Sequence, residues 1–324
     1  MAMANKKYVA WGASPIFEIY LSNSENPNIA YCVDSSIEKQ GKNVEGVAIR
    51  PPEALFKEDK NSVMVINFGH SSESIQSINA VLSREGFVLG KNCIDFAAFA
   101  KKDFESKARN VFGKSFDPEL FTYARSFNFN SNTPLETTVL GNWLLLEAVK
   151  LTKDIGGSIA EVGAYKGGNA YFLLSAMTLL NDARKYFILD SFKGFDKLSS
   201  NDPLPLQDVY SYDYGFNLIA NKFSVFSQAK IIRGFVPSTF PEIGPNEKFS
   251  VVFFDCDLYQ PALDTYAFFW NRIKKGGFLV IHDNVATKNG WTGVRKATEE
   301  FFGPKGVRVH DFWETTMSVV LKKD

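Results

Sequence analysis

Short apolar runs alternate with segments of helical spacing along most of the chain. KYVAWG (7–12), IAYCVD (29–34) and VMVINF (63–68) have the length and β-branched or aromatic content of buried strands. PIFEIYLSNS, between the first two, has helical character. SSESIQSINAVLSREG, after the third, is an amphipathic helix, and FVLG opens a further extended piece. Strands alternating with helices predict a small parallel α/β domain, placed at residues 1–100. Residues 101–150 contain no clear strand, and ETTVLGNWLLLEAVKLTKD carries its apolar residues at helical spacing, so this stretch reads as a helical connector. A second alternation occupies residues 151–324, through SIAEVGA (158–164), KYFILD (185–190), AKIIRG (229–234), FSVVFFD (249–255) and GFLVIHD (277–283). VRVHDFWE and MSVVLKK close it as an expected antiparallel pair.

Composition narrows the possibilities. The chain has 324 residues, 45% of them hydrophobic, which is enough for a sizeable core and favours two domains over one. Lys plus Arg equals Asp plus Glu at 36 each, which argues against a nucleic-acid footprint or a basic membrane patch. Cys32, Cys93 and Cys256 are far apart and lack metal-ligand spacing, the pattern of reduced thiols. No apolar run is long enough to span a bilayer, and the first residues lack a signal-peptide core, so a cytoplasmic location is expected.

Candidate chemistry concentrates in the second alternation. EVGAYKGGNA lies between a strand and the helix AYFLLSAMTLL, with Glu161, Gly163 and Gly167 forming E-x-G-x-x-x-G. Glycines let such a loop turn tightly and approach a ligand, although an ordinary strand-to-helix turn has the same look. The next strand ends in Asp190, where an acid can accept hydrogen bonds from ribose hydroxyls. Neither GxGxxG nor GK[ST] is present. Two acids without a phosphate motif fit a ligand with an amino group and a ribose, such as S-adenosylmethionine. Asp255 and Asp283 end two apolar runs joined by one helical crossover, PALDTYAFFWNRIKKGG, which joins neighbouring parallel strands. Asp255, Asp283 and Asn284 should then converge at one sheet edge. Carboxylates so close need a proton or a cation, and oxygen donors favour Mg2+. The alternative is that Asp283 and Asn284 cap a turn. Asp257 is the first candidate for a general base, with Asp255 and His282 behind it. Regular alternation would turn His282 to the other face of its strand, which makes it structural. His310 and His70 are weaker candidates.

EVGAYKGG, LDSFKGF, FFDCDLYQPALDTYAFFW, KKGGFLVIHDN and GVRKATEEF, taken in order, resemble the macrocin O-methyltransferase family over about residues 130–324. Members are class I S-adenosylmethionine-dependent methyltransferases, many acting on sugars of natural products. The resemblance implies an α/β fold with a Rossmann-like seven-stranded sheet of order 3-2-1-4-5-7-6. It implies S-adenosylmethionine held by Glu161, Gly163, Ala164, Tyr165, Gly167, Asp190, Ser191, Arg233, Gly234 and Asp255. It also implies Mg2+ held by Asp255, Asp283 and Asn284, a trio similar to the magnesium ligands of catechol O-methyltransferase and of metal-dependent sugar methyltransferases. Catechol-type enzymes carry a lysine three positions after the first metal acid. Here that position is Leu258, so Asp257 and Asp255 carry the catalytic expectation. The partner implied is a small hydroxylated acceptor, glycosylated or not, and a homo-oligomer is compatible. N- or C-methylation, a non-catalytic S-adenosylmethionine-binding protein and a redox enzyme are the rival functions.

The first domain, through VAWGASPIFEIYL and YCVD, resembles the start of a small Rossmann-like domain seen beside sugar-modifying enzymes. Only Gly12 of the glycine pattern is present, with Ser14 and Phe17 at the later positions, although Asp34 falls where a ribose-binding acid would sit. A structural, dimerising or acceptor-positioning role is expected over nucleotide binding. Residues 201–216 read as a loop over the site or a disordered surface insertion, and Trp291 as a wall of the acceptor pocket or a packed core residue.

Overall fold

The computed structural model describes residues 6–24, 28–69, 71–130, 135, 137–195, 197–202, 215–285 and 292–323. His70, Trp291 and most of the 201–216 loop lie outside the described residues. The chain forms two compact units, one of residues 1–115 with 138–140 and one of residues 116–137 with 141–324. No helix among the described residues is long and apolar enough to cross a membrane.

The N-terminal unit runs β1 (Lys7–Trp11), α1 (Pro15–Asn23), β2 (Ile29–Val33), β3 (Asn43–Val44), β4 (Val47–Arg50), α2 (Glu53–Phe56), β5 (Val63–Asn67), α3 (Ser72–Arg84), β6 (Cys93–Asp95) and α4 (Phe96–Phe112). Its sheet has the order β3-β4-β2-β1-β5-β6, parallel apart from the β3–β4 pair. That hairpin lies between IAYCVD and VMVINF, where no strand was expected. Glu45 and Gly46 both have positive φ, 47° and 83°, as a tight two-residue hairpin turn requires. The further extended piece expected to open at FVLG begins instead at Cys93. Val9, Trp11, Tyr31, Val33, Val65 and Leu82 fill one core, and rings of Phe17, Tyr20, Phe68 and Phe96 pack together. Asp34 accepts hydrogen bonds from the Ala13 N–H and the Ser36 N–H, each at 2.8 Å, and Ser14 Oγ donates to the Phe68 carbonyl. The loop after β1 is thus tied to Asp34 by internal bonds.

The C-terminal unit contains α5 (Pro118–Asn130) and most of α6 (Val139–Leu151), followed by β7 (Ser158–Val162), α7 (Gly168–Leu179), β8 (Tyr186–Asp190), α8 (Phe216–Phe223), β9 (Ala229–Arg233), β10 (Phe249–Phe254), α9 (Tyr259–Phe269), β11 (Ile273–Ile281), α10 (Thr292–Phe302), β12 (Val309–Phe312) and β13 (Met317–Leu321). The sheet order is β12-β13-β11-β10-β7-β8-β9, which is the expected 3-2-1-4-5-7-6 read from its other edge. Strands β7 to β11 are parallel and β13 runs antiparallel between β11 and β12. Central strands β7 and β10 are buried along their whole length because helices cover both faces, which explains their near-continuous apolar runs. Helices α9 and α10 bury Ala262, Tyr266, Phe269, Val294, Ala297 and Phe302 in one core with the strands. Helix α7 is apolar nearly all round and buries Phe172, Leu173 and Leu174. This packing sets β7, β8, β10 and β11 side by side with their carboxyl ends at one edge.

Candidate active site

At that edge lies a cavity of about 560 Å³, within the usual range for a small-molecule site. Its floor is the end of β7, β8, β10 and β11, represented by Gly163, Asp190, Asp255 and His282. Its walls come from the segments around Lys197–Ser199, Gly234–Pro237 and Leu258–Asp264. Ligands of open α/β sheets bind at this edge because the chain diverges there into separate loops.

The glycine loop owes its shape to its neighbours. Gly163 has φ 91°, and a Cβ there would stand 2.1 Å from the Asp255 carbonyl oxygen and 2.5 Å from its carbon. No side chain fits, because β10 passes directly against this turn. Asp190 closes the loop from the other side. Its Oδ2 accepts the N–H groups of Ala164 at 2.7 Å and Tyr165 at 2.8 Å, and its Oδ1 accepts the Phe192 N–H at 2.6 Å. A carboxylate offers about four acceptor sites, so three are taken by backbone and one is left for a ligand. One acceptor position therefore remains for the ribose hydroxyls expected at Asp190. Burial raises the pKa of Asp190 above its usual value, opposed by those three donors. Ser191 is engaged in the following turn, where its Oγ donates to the Gly194 carbonyl and accepts the Lys193 N–H.

Three expected cofactor residues lie outside the cavity lining. Glu161 lies inside β7, 1% exposed, and does not line the cavity. Tyr186 on β8 donates to its Oε2 at 2.6 Å. Burial, and then the nearby charges of Asp255 and Asp190, push Glu161 up to about 8, so it is mostly protonated at neutral pH. Its position is the reason: Glu161 lies within β7, short of the turn at Gly163, and so is enclosed in the sheet layer below its end. Arg233 is exposed with its guanidinium 4.7 Å from the Phe216 ring, while its neighbour Gly234 lines the cavity. Gly167 has φ 73° and precedes α7, and is outside the lining as well.

Asp255, Asp257, His282 and Asp283 each bring one oxygen or nitrogen within 4.8 Å of the others. The strand register explains the grouping. Phe254 pairs with Ile281, and the ladder continues as the His282 N–H donates to the Phe254 carbonyl and the Asp255 N–H to the Val162 carbonyl. Asp255 therefore has His282 as its cross-strand neighbour, and the two side chains share a face. His282, expected on the far face, is part of the site: its Nδ1 is 2.8 Å from Asp255 Oδ1 and 3.1 Å from Asp283 Oδ2. Regular alternation ends there, because Asp283 takes a left-handed φ of 52° that turns its carboxylate back toward the histidine. Asn284 follows this turn, and its buried Oδ1 has no hydrogen-bond partner among the described residues. The residue is fully buried, absent from the cavity lining, and its Nδ2 donates to Ser318 Oγ at 2.8 Å. His310, on β12, is not in the lining either.

Electrostatics distinguish the four groups. Burial, then Asp283 and Asp255, push Asp257 well above the usual carboxylate range. Burial also raises Asp255, against the His282 ring. Burial disfavours ionised Asp283, but the His282 ring and a hydrogen bond with Asp257 outweigh it and hold that carboxyl low. Burial opposes a charged His282, and the two neighbouring aspartates reverse that and raise it well above its ordinary value. Three carboxyl groups packed this tightly have to share protons or a cation. Tyr165, Phe192, Asp257 and Asp283, at or beside this edge, all have positive φ. Backbone held in sparsely populated conformations is the kind of strain that functional sites store.

Sequence reasoning also missed Asp202. It is buried, accepts the Tyr259 N–H at 2.8 Å at the first turn of α9 and accepts Ser199 Oγ at 2.6 Å, so it fastens one cavity wall to that helix. Only its position among prolines and polar residues hinted at it.

Comparisons with known proteins point the same way as this topology. The mycinamicin III 3''-O-methyltransferase of Micromonospora griseorubida is 26% identical over 148 residues, covering 41% of this chain and 57% of that protein. An 8-demethyl-8-(2,3-dimethoxy-alpha-L-rhamnosyl)-tetracenomycin-C 4'-O-methyltransferase of Streptomyces olivaceus is 23% identical over 150 residues, covering 41% and 55%. The chain thus spans little more than half the length of these curated relatives. Among solved structures, a calicheamicin methyltransferase superposes with a TM-score of 0.49 at 17% identity, covering 64% of this chain and 93% of that one. The profile described as Macrocin-O-methyltransferase (TylF) matches residues 145–311, just over half of the chain and all of the strands that build the cavity floor. The chain belongs to the macrocin-O-methyltransferase family.

Proposed function

We propose that the protein is an S-adenosylmethionine-dependent O-methyltransferase acting on a hydroxyl of a sugar or other natural-product acceptor. The single observation that carries this reading is the position of Asp255, Asp257, His282 and Asp283 in the same cavity as the Gly163–Tyr165 loop and Asp190. A methyl donor and a hydroxyl need one site that holds a ribose-bearing sulfonium and can also take a proton. The free acceptor position on Asp190 suits a ribose hydroxyl, and the glycine turn allows close approach. The curated relatives are named for O-methylation of mycinamicin III and of a rhamnosyl tetracenomycin C, which supports the acceptor class.

In the proposed reaction the acceptor oxygen forms a bond to the methyl carbon as the carbon–sulfur bond breaks. Its electron pair stays on sulfur, leaving S-adenosylhomocysteine. The hydroxyl proton goes to the Asp257 carboxylate. A carboxyl raised by burial and by two acidic neighbours is a stronger base than an ordinary aspartate. Asp255 and Asp283 would hold a divalent cation, and Mg2+ is the ion their oxygens alone would select. Such a cation would acidify and orient the acceptor hydroxyl. The protein's part is to keep acceptor and donor aligned and out of bulk water.

The test is transfer of label from methyl-labelled S-adenosylmethionine to a panel of glycosides with free hydroxyls, with and without EDTA. O-linked label that disappears with EDTA and returns with a divalent cation is expected. Label on nitrogen or carbon, or no calorimetric binding of S-adenosylhomocysteine, refutes the proposal.

A further inference from the structure

Two walls of the cavity are joined by one side chain that lies behind them. Asp202 Oδ2 accepts the Ser199 N–H at 2.8 Å and Ser199 Oγ at 2.6 Å, and its Oδ1 accepts the Tyr259 N–H at 2.8 Å. Neither Asp202 nor Tyr259 lines the cavity. Lys197, Leu198 and Ser199 line it on one side of this link, and Leu258, Gln260 and Pro261 on the other. Tyr259 opens α9, and Leu258 before it has no side-chain oxygen to cap the helix. Asp202 supplies the cap from 57 positions away, with the charge that a helix N-terminus favours.

The third side of the link is α10. Gly293 in its first turn leaves room for the carboxylate, because a Cβ there would stand 2.5 Å from Asp202 Oδ1 and 3.3 Å from Tyr259 Cβ. Lys296, one turn on, donates to Asn201 Oδ1 at 2.7 Å, and the Tyr259 hydroxyl donates to Glu300. Asp202 is thus buried where the 197–202 segment, α9 and α10 meet. Asp257 lies two residues before α9 begins, with a φ of 62° in the turn that leads to it. The placement of the first turn of α9 therefore governs where the Asp257 carboxyl is presented. The loop assigned to the cofactor is held separately, by the three backbone N–H groups on Asp190.

We propose that Asp202 is a positioning residue for the acceptor. By tying Ser199 to the first turn of α9 it fixes the spacing of two cavity walls and the presentation of Asp257, and so sets acceptor affinity and turnover without touching acceptor or cofactor. The inference rests on the methyl-transfer role proposed for this cavity. Loss of a buried carboxylate with three donors would be a matter of stability alone if its donors lay elsewhere; here one donor residue lines the cavity and the other adjoins its lining.

The experiment uses the full chain carrying Asp202→Asn, with Gly293→Ala as an independent perturbation from the α10 side. Asparagine can still accept the Tyr259 N–H, but it turns an amide N–H toward the Ser199 N–H and so releases one wall. The readouts are calorimetric affinity for S-adenosylhomocysteine, steady-state methylation of the panel glycoside that wild type methylates best, and amide hydrogen exchange of the peptide carrying Ser199. Both variants should keep S-adenosylhomocysteine affinity within about threefold while acceptor KM rises about tenfold and kcat falls about 10- to 100-fold, because a displacement of about 1 Å is enough for such a loss. Exchange at Ser199 should quicken in Asp202→Asn. Should that variant be insoluble, Gly293→Ala decides by the same split between acceptor kinetics and cofactor affinity. Cofactor affinity that falls in step with the acceptor kinetics, or faster exchange with KM and kcat unchanged, overturns the inference and leaves Asp202 a stabilising residue. Wild type that transfers label while both variants match its kinetics refutes this inference alone. Wild type that transfers no methyl group to any glycoside refutes the proposed function, and this role with it.

Discussion

Glu161→Gln separates a buried structural acid from a cofactor ligand. Glutamine keeps the shape and an oxygen to accept the Tyr186 hydroxyl, and removes only the titration. Glu161 sits at about 8 in the fold against an ordinary 4.5, because of burial first and the charges of Asp255 and Asp190 second. A folded pKa raised above the unfolded one means that the group's stabilising contribution is complete below the unfolded value and is lost as pH climbs through the folded one. At 1.36 kcal/mol per pKa unit, the loss between about pH 6 and pH 8.5 is about 2–3 kcal/mol. Glu147, pushed to about 7 mainly by burial, adds its own slope in the same direction but is present in both proteins, so the difference between them isolates Glu161. Urea unfolding at the two pH values should show wild type weakening by that margin more than the variant, with S-adenosylhomocysteine affinity within about threefold of wild type at about pH 7. An equal change in both proteins, or a tenfold loss of cofactor affinity with the pH slope intact, would refute the buried-acid account and return Glu161 to the cofactor.

Gly163→Ala puts a methyl group against the Asp255 backbone and should cost more than about 4 kcal/mol in unfolding free energy, an exceptional single-residue effect; a soluble variant within about 1 kcal/mol of wild type would contradict the close approach. Asp190→Ala removes the acceptor of three backbone N–H groups as well as one ligand site, so both the ligand-free melting temperature and cofactor affinity should fall, the latter by about 1–3 kcal/mol. Loss of affinity with an unchanged ligand-free melt would mean that its role is ligand binding alone. Asp257→Asn should cut turnover by at least about 100-fold with little change in calorimetric metal affinity; the opposite pattern would make Asp257 a metal ligand and leave the base unassigned.

Much of the scaffold is determined by the sequence alone, because period and run length are local properties. The apolar runs that became β7, β8, β9, β10 and β11, the amphipathic α3 and the closing β12–β13 pair were all readable from their own residues. β3 and β4 escaped because strands this short hardly rise above turn composition, and only the positive φ at Glu45 and Gly46 reveals the hairpin. The convergence of Asp255 with Asp283 followed from crossover length. What tertiary structure decided was direction. Glu161, Arg233 and Asn284 lie outside the cavity lining, while His282 joined the aspartates. Each of these depends on which residue lies across the ladder and where a single left-handed φ reverses the chain, as at Asp283. Cross-strand register and backbone reversals are set by contacts between segments distant in sequence, so spacing along the chain can bring acids to one edge without saying which side chains meet there.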